Sequence, residues 1–353
     1  MTKKILIAAG GTGGHIFPAL EIAKELQKVD WEISWLGTQN RMESSIIPNN
    51  NIPIYFIKAS GVRGSKLVAI PKKTLMLFKA VREVKAILRD FKPDLVLGMG
   101  GYISGIASIA CINSKIPFCL HEQNSVAGLS NLYSAKFAKL KMEAFKGVIK
   151  GAYLVGNPIS NKFYNVDIPE KRWKKRDGPL RIFIMGGSQG AKILNSVIPE
   201  MVKYIEQDIE IIHQAGKAYK EFTQNLYKST INPRVTVKVH DFIDDVLDEM
   251  SKADLVISRS GAMSVFEIAA VKIPAVFIPY EHKDKQQYKN AKMLVDNGSA
   301  IIMTEKEFTP KTISKFINSK TREDLLEMAL KSKENNFNNA VQDIVKLING
   351  VKK

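Results

Sequence analysis

The chain runs to 353 residues with a formal net charge of +17, 45% hydrophobic and 25% charged residues, a length that predicts two domains and a balance that excludes a disordered or fibrous chain. Two cysteines, Cys111 and Cys119, exclude a disulfide framework and a metal site of paired-cysteine spacing and point to a reducing compartment; no signal peptide is expected before the first apolar run. The positive charge asks for an anionic partner, whether nucleic acid, an acidic substrate or a negatively charged lipid surface.

Ile5 to Ala9 has the length and character of a buried parallel strand. Leu20, Ala23 and Leu26 then recur at helical spacing, with Pro18 expected at the first helical position, where its missing N–H costs nothing. Between them Gly10-Gly11-Thr12-Gly13-Gly14-His15 reads as a loop at the carboxyl end of a strand and the amino end of a helix. Backbone N–H groups there favour an anion or a polar sugar, and glycine lets the backbone approach closely. His15, at its mouth, can exchange a proton near neutral pH. A tight turn with a surface histidine is the plainer alternative, for which four glycines are extravagant. A dinucleotide fingerprint counted from Gly11 puts Ile16 at its third glycine. The strand Trp31 to Leu36 ends in Gly37-Thr38 with no acid for a ribose, so a nicotinamide cofactor is disfavoured. No Gly-Lys-Ser/Thr follows, which excludes a Walker loop.

Strands at Ile33–Leu36, Ile54–Ile57, Leu95–Leu97 and Phe118–Leu120 alternate with helices, the signature of a doubly wound, mostly parallel sheet. Ligands of such a sheet lie beyond the carboxyl ends of its strands, where Gly10–His15, Gly98–Gly105 and His121-Glu122-Gln123-Asn124 fall. Leu95 to Ser114 is uncharged, yet its glycines and serines predict a strand, loop and helix rather than a bilayer span. From Lys72 to Lys92 a long helix is expected, with Leu77, Val81, Val84, Leu88 and Phe91 as its apolar stripe. Lys79, Arg82, Lys85 and Arg89 line much of the other side, ordinarily a solvated face. Leu75, Met76 and Phe78 fall outside the stripe, next to Lys72, Lys73 and Lys79, an arrangement suited to the headgroup layer of an anionic membrane.

Periodicity fails between Asn161 and Gly178, so the charged and punctuated Ile168–Pro179 reads as the interdomain connection. The plan then restarts with a strand at Arg181–Met185, the turn Gly186-Gly187-Ser188-Gln189-Gly190 and a helical pattern from Ala191 to Ile205. Further strands are expected at Glu210–His213, Val235–Val239, Leu255–Ile257 and Ala275–Ile278. Two such domains facing one another leave a cleft that suits an enzyme joining two substrates. Ser258 to Ala270 follows a strand and runs into an apolar helix. Its opening turn offers amides to a phosphate, and Glu267, one turn in, offers a carboxylate to two ribose hydroxyls, unless it merely complements the helix dipole. Pro279 to Tyr288, with Gln286 and Gln287, gathers amides and charges suited to sugar hydroxyls, or is simply a solvated loop. Together these features describe a site for a nucleoside diphosphate sugar.

Taken in order, Gly10–His15, Gly98–Gly105, His121–Asn124, Gly156-Asn157-Pro158, Gly186–Gly190, Ser258–Ala270 and His282–Gln287 resemble the MurG family of UDP-N-acetylglucosamine (UDP-GlcNAc) transferases over nearly the whole chain. The resemblance implies an α/β chain of GT-B type, two doubly wound Rossmann-like domains facing a cleft. Residues 1–160, completed by a C-terminal helix at about 340–353, would form the acceptor and membrane-facing domain, and residues 161–339 the UDP-GlcNAc domain. It implies inverting transfer of GlcNAc to the 4-hydroxyl of MurNAc in lipid I (undecaprenyl-diphosphate-MurNAc-peptide). The product is lipid II for peptidoglycan synthesis, made at the cytoplasmic face of the cell membrane on an anionic inner leaflet. By family motif, Ser188 and the turn Ala262, Met263, Ser264, Val265, Phe266 and Glu267 hold the diphosphate and ribose, and Ile243 contacts uracil. Gln286 and Gln287 meet the sugar, which Asn124 reaches from the other domain. Thr12, Gly13 and Gly14, with Gly100 and Gly101, border the acceptor pyrophosphate. One departure is that the family follows Gly-Asn-Pro with an apolar residue and an arginine, whereas here Ile159 precedes Ser160.

The implied reaction needs a base near the acceptor hydroxyl and a counter-charge for departing UDP. His15 is the candidate base, and Glu122 an alternative better suited to orienting. No Asp-x-Asp occurs, so neither metal nor cofactor is expected. Leaving-group charge would fall on helix-start amides around Ser188 and Gly261, with Arg259. The rival enzyme is a UDP-GlcNAc 2-epimerase on the same fold, which needs no lipid. A basic nucleic-acid-binding protein is disfavoured because no aromatic residues interleave the basic runs, so no nucleic-acid partner is expected; an oxidoreductase ranks last.

Overall fold

A computed structural model describes residues 2–58, 70–174, 176–332 and 337–352, without the side chains of residues 70–73 and 113. The chain divides into two compact units, Met1–Ile159 with Asn339–Lys353, and Ser160–Asn338. The first contains β1 (Lys4–Ala8), α1 (Gly13–Gln27), β2 (Glu32–Thr38), α2 (Glu43–Ile46), β3 (Ile54–Ile57), α3 (Ile70–Phe91), β4 (Leu95–Gly98), α4 (Gly101–Ser114), β5 (Phe118–Glu122), α5 (Leu129–Ser134), β6 (Leu140–Glu143) and β7 (Tyr153–Leu154). The second contains α6 (Pro169–Trp173), β8 (Leu180–Met185), α7 (Lys192–Met201), β9 (Ile209–Gln214), α8 (Lys220–Lys228), β10 (Val235–His240), α9 (Val246–Lys252), β11 (Leu255–Ser258), α10 (Ala262–Val271), β12 (Ala275–Phe277), α11 (Gln286–Val295), β13 (Ala300–Ile302), α12 (Pro310–Asn318) and α13 (Arg322–Leu330). The last helix, α14 (Ala340–Asn349), returns to the first unit.

Each unit holds one parallel sheet, ordered β3-β2-β1-β4-β5-β6-β7 in the first and β10-β9-β8-β11-β12-β13 in the second. Winding therefore reverses between β1 and β4, and again between β8 and β11. The loops that leave these neighbouring strands diverge, opening a crevice at their carboxyl ends. Strand β1 is buried on both faces. Ile5 and Ile7 pack with Ile16, Leu20, Trp35 and Ile344, while Leu6 and Ala8 pack with Val84, Leu88, Ile106 and Phe118. That two-sided burial is why the strand reads as an unbroken apolar run.

Three sequence expectations are corrected. Helix α1 begins at Gly13, so Gly13, Gly14 and His15 form its first turn rather than a loop, and Pro18 lies inside it. Extended Thr12 starts the helix early, its carbonyl accepting the N–H of His15 at 3.1 Å and of Ile16 at 3.2 Å. The bond Pro18 cannot make would have gone to Gly14, near the end that frays in any case. The stripe of α3 is buried at Val81, Val84, Leu88 and Phe91, but Leu77 is 41% exposed. Leu75, Met76 and Phe78 are exposed too, whereas the side chains of Lys72 and Lys73 lie outside the described residues. Third, the segment between Asn161 and Gly178, read as the interdomain connection, is part of the second unit and packed on it. Trp173 is buried, Arg172 Nη2 donates to Val271 O at 2.6 Å, and Arg176 Nη1 bonds Asp254 Oδ1 at 2.7 Å; Lys175 lies outside the described residues. The uncharged stretch from Leu95 to Ser114 forms β4 and α4, and no helix among the described residues is long and apolar enough to cross a membrane.

Candidate active site

In the first unit the loops after β1 and β4 flank the crevice. Gly100 and Gly101 turn with φ of +93° and +72°, conformations glycine alone adopts without strain. The His15 imidazole fills the space their side chains would need: a Cβ on Gly100 would stand 3.2 Å from Nε2, and one on Gly101 3.5 Å from Nδ1. His15 is half-buried, with Thr12 Oγ1 at 3.5 Å from Nδ1. Desolvation pulls its pKa below the ordinary 6.5, against the opposing pull of the Glu122 charge and the Gly10 carbonyl.

Glu122, at the end of β5, is buried with both oxygens engaged. Oε1 accepts from Asn124 N at 2.9 Å and Asn124 Nδ2 at 3.1 Å, and Oε2 from Gly128 N at 3.1 Å and Asn131 Nδ2 at 2.8 Å. Its geometry is that of an orienting group, which shapes the loop carrying Asn124 and lends negative potential to His15. Thr12 and Gly14 are exposed beside it and Gly13 is half-exposed.

Sequence reasoning missed the group that holds the first loop. Glu43, fully buried, accepts from Gly11 N at 3.1 Å, from Thr38 N at 3.1 Å and from Thr38 Oγ1 at 2.8 Å. A Cβ on Gly10 would lie 2.5 Å from its Oε1, so this glycine makes room for the carboxylate. Trp35 Nε1 adds a bond to Ala9 O at 2.7 Å.

In the second unit the corresponding loops follow β8 and β11. A Cβ on Gly190 would stand 1.8 Å from Ala215 O, and one on Gly216 2.3 Å from Gln189 O, so the glycine turn locks into the turn after β9 and presents Ser188 to solvent. Helix α10 has Gly261 as its N-cap and therefore no capping side chain, and the preceding Ser260 Oγ donates to Gln287 O at 2.8 Å. The first amides, at Ala262, Met263 and Ser264, carry the positive end of the helix dipole. Val265 and Phe266 are buried beneath them, while Glu267 is half-buried with no hydrogen-bond donor to it among the described residues. Burial pushes its carboxyl up to about 7. Gln287 Oε1 accepts from Tyr280 N at 2.9 Å and Gln286 N donates to Asp284 Oδ1 at 3.1 Å, which holds this pair beside α10. Ile243 is buried, its N–H given to Gln214 Oε1 at 2.9 Å.

Residues 5–142 match the glycosyltransferase family 28 N-terminal domain, and residues 181–348 the family 28 C-terminal domain. The fold superposes on a crystal structure of Acinetobacter baumannii MurG with a TM-score of 0.85, at 37% identity over 99% of this chain and 100% of that one. The UDP-N-acetylglucosamine--N-acetylmuramyl-(pentapeptide) pyrophosphoryl-undecaprenol N-acetylglucosamine transferase of Actinobacillus pleuropneumoniae serotype 5b is 44% identical over 350 residues, 99% of either chain. The chain belongs to the MurG family. A UDP-GlcNAc 2-epimerase from Neisseria meningitidis, with a TM-score of 0.65 at 17% identity over 99% of this chain and 100% of that one, shares the fold alone.

Two features of this MurG-family chain acquire physical reasons. Gly156-Asn157-Pro158 brackets the end of β5: His121 Nε2 bonds Gly156 O at 2.9 Å and Asn157 Nδ2 donates to Gln123 O at 3.0 Å, with His121 driven down to about 4 by burial. Ser160 then opens the second unit. Arg259, expected near the leaving group, is already committed: Nη2 pairs with Glu305 Oε1 at 2.6 Å, Nη1 donates to Ile278 O at 2.9 Å, and the guanidinium lies over Tyr280. Its charge is neutralised by that carboxylate, while the opening of α10 takes no side-chain cap.

Proposed function

We propose that this protein transfers GlcNAc from UDP-GlcNAc to the 4-hydroxyl of MurNAc in lipid I, with inversion, giving lipid II. The reading rests on the 44% identity over 350 residues with a transferase so named. In it the first unit takes the acceptor, with its pyrophosphate against Thr12, Gly13, Gly14, Gly100 and Gly101, and the neutral His15 imidazole accepts the hydroxyl proton. Glu122 supports the imidazolium that forms and holds the loop that carries Asn124. The second unit takes the donor: uracil at Ile243, ribose on Glu267, diphosphate on Ser188 and the opening of α10, and sugar at Gln286 and Gln287. The α10 dipole, rather than a metal, receives the charge of departing UDP. The protein works on an anionic inner-leaflet surface at the cytoplasmic face, and needs neither cofactor nor nucleic acid.

Radiolabel from UDP-GlcNAc should pass to a short-chain lipid I analogue with a chelator present. An epimer formed from UDP-GlcNAc without lipid would instead assign the protein to the rival chemistry. His15→Ala should lower kcat by about 10²-fold or more and leave UDP-GlcNAc affinity nearly intact. Unchanged turnover in that variant would remove His15 from the mechanism.

A further inference from the structure

Strand β9 lies between β8 and β10 in the second sheet, and its last two side chains point to opposite faces. His213, fully buried, links Tyr227 OH at 2.9 Å to Asn195 Oδ1 at 2.9 Å, and Asn195 Nδ2 donates to Ala215 O at 2.8 Å. That relay supports the turn against which Gly190 is packed. Gln214 takes the other face and is only 4% exposed. Its Nε2 donates to Gly187 O at 3.1 Å, in the glycine turn after β8, and its Oε1 accepts from Ile243 N at 2.9 Å, in the segment after β10. One carboxamide thus spans two loops that no backbone ladder joins. Only a side chain with a donor at one corner and an acceptor at the other serves both: a carboxylate accepts alone, and a hydrocarbon does neither.

We propose that Gln214 is a positioning residue for the sugar donor, setting the spacing between the glycine turn that meets the diphosphate and the Ile243 segment that meets the base. The inference rests on the reading of the second unit as the UDP-GlcNAc domain. Without the bridge each loop moves alone, and the donor must bring them into register as it binds. Donor affinity therefore falls, while proton transfer at the acceptor hydroxyl is untouched.

The test compares wild type, Gln214→Leu and Gln214→Glu in the full chain, with folding checked by thermal melting. For Gln214→Leu the KM for UDP-GlcNAc should rise about tenfold while kcat stays within about twofold. Gln214→Glu is the discriminating variant. As a carboxylate it still accepts from Ile243 but repels the Gly187 carbonyl. Once protonated, its O–H donates to that carbonyl and restores both bonds, and burial brings this titration into an accessible range. Its KM relative to wild type should therefore recover as pH is lowered from about 8 to about 6, with no such recovery in Gln214→Leu. A wild-type KM in Gln214→Leu, a loss confined to kcat, or a Gln214→Glu ratio flat with pH would each overturn the inference while the donor reading stood. Absence of UDP-GlcNAc binding to wild type in calorimetry would overturn the donor reading, and this inference with it.

Discussion

Glu267 shows what an unmatched carboxyl can report. With no donor to it among the described residues, burial pushes its carboxyl up to about 7. Two ribose hydroxyls donating to it favour the ionised form, so the donor complex must hold a lower pKa than the free protein. The sign follows: binding releases a proton below pH 7, and affinity falls as pH drops through that value, by at most about tenfold per unit. Calorimetry with UDP-GlcNAc, whose diphosphate diester does not itself titrate there, should show this slope, and Glu267→Gln should abolish it and weaken binding. A flat profile in wild type would remove the ribose from Glu267. Glu43 is the opposite case, a carboxylate filled by three donors. Glu43→Gln turns an NH₂ toward one of those N–H groups, and denaturation should show a loss of about 1–3 kcal/mol. His15 and Glu267 were singled out because each sits inside a local motif. Gln214 was not, since the groups it bridges follow other strands and become neighbours only through sheet pairing, and Glu43 was not, since its bond to Gly11 depends on the same pairing while its two bonds to Thr38 leave no motif in the sequence.

At the level of elements, periodicity identified faces well and ends poorly. The α3 stripe was correct from Val81 to Phe91, yet Leu77 has the same spacing and stands exposed, because a period names a face without saying how far its partner extends. Pro18 marked a helix start by propensity, but an extended Thr12 with a free carbonyl nucleated the turn earlier. Charge and lost periodicity made residues 161–178 read as the interdomain connection, whereas the segment packs on the second unit through the buried Trp173. Strand β6, Leu140-Lys141-Met142-Glu143, breaks the apolar run with two charges, and β7, at two residues, is too short to carry a pattern. The exposed apolar residues of α3 bear on the membrane surface proposed above. Leu75 at 55% and Phe78 at 60% exposure stand beside Met76 and Leu77 on a basic helix, and in that proposal they would enter the headgroup region of an anionic membrane. Replacing Leu75 and Phe78 with glutamate should reduce sedimentation with phosphatidylglycerol vesicles and leave transfer to a soluble short-chain acceptor intact. Equal sedimentation of the two proteins would assign the patch elsewhere.

Over the whole molecule the two units repeat one device. Each has a winding reversal, a glycine turn at its first strand, and a buried polar side chain from the region of the second strand, Glu43 or Gln214, that pins that turn. The alternation that exposes this repeat is legible in the sequence, because strands buried on both faces leave continuous apolar runs. What breaks the symmetry is the return of α14 to the first unit. Ile344 and Ile348 are buried in the same cluster as Ile5, Leu20 and Trp35, and Trp31 Nε1 donates to Asn349 Oδ1 at 2.8 Å. The first unit is therefore incomplete until the chain has passed through the second, although its sheet is finished by Leu154. Ile344→Ala should leave a cavity costing about 2–5 kcal/mol, and that cost belongs to the first unit. The tryptophans separate the two units, since Trp31 and Trp35 lie in the first and Trp173 in the second. In urea, fluorescence of a variant retaining only Trp35 should show an earlier transition after Ile344→Ala, while a variant retaining only Trp173 keeps its midpoint. An equal shift at both would mean that the returning helix stabilises the two units as one cooperative body, and that the first core is not its particular beneficiary.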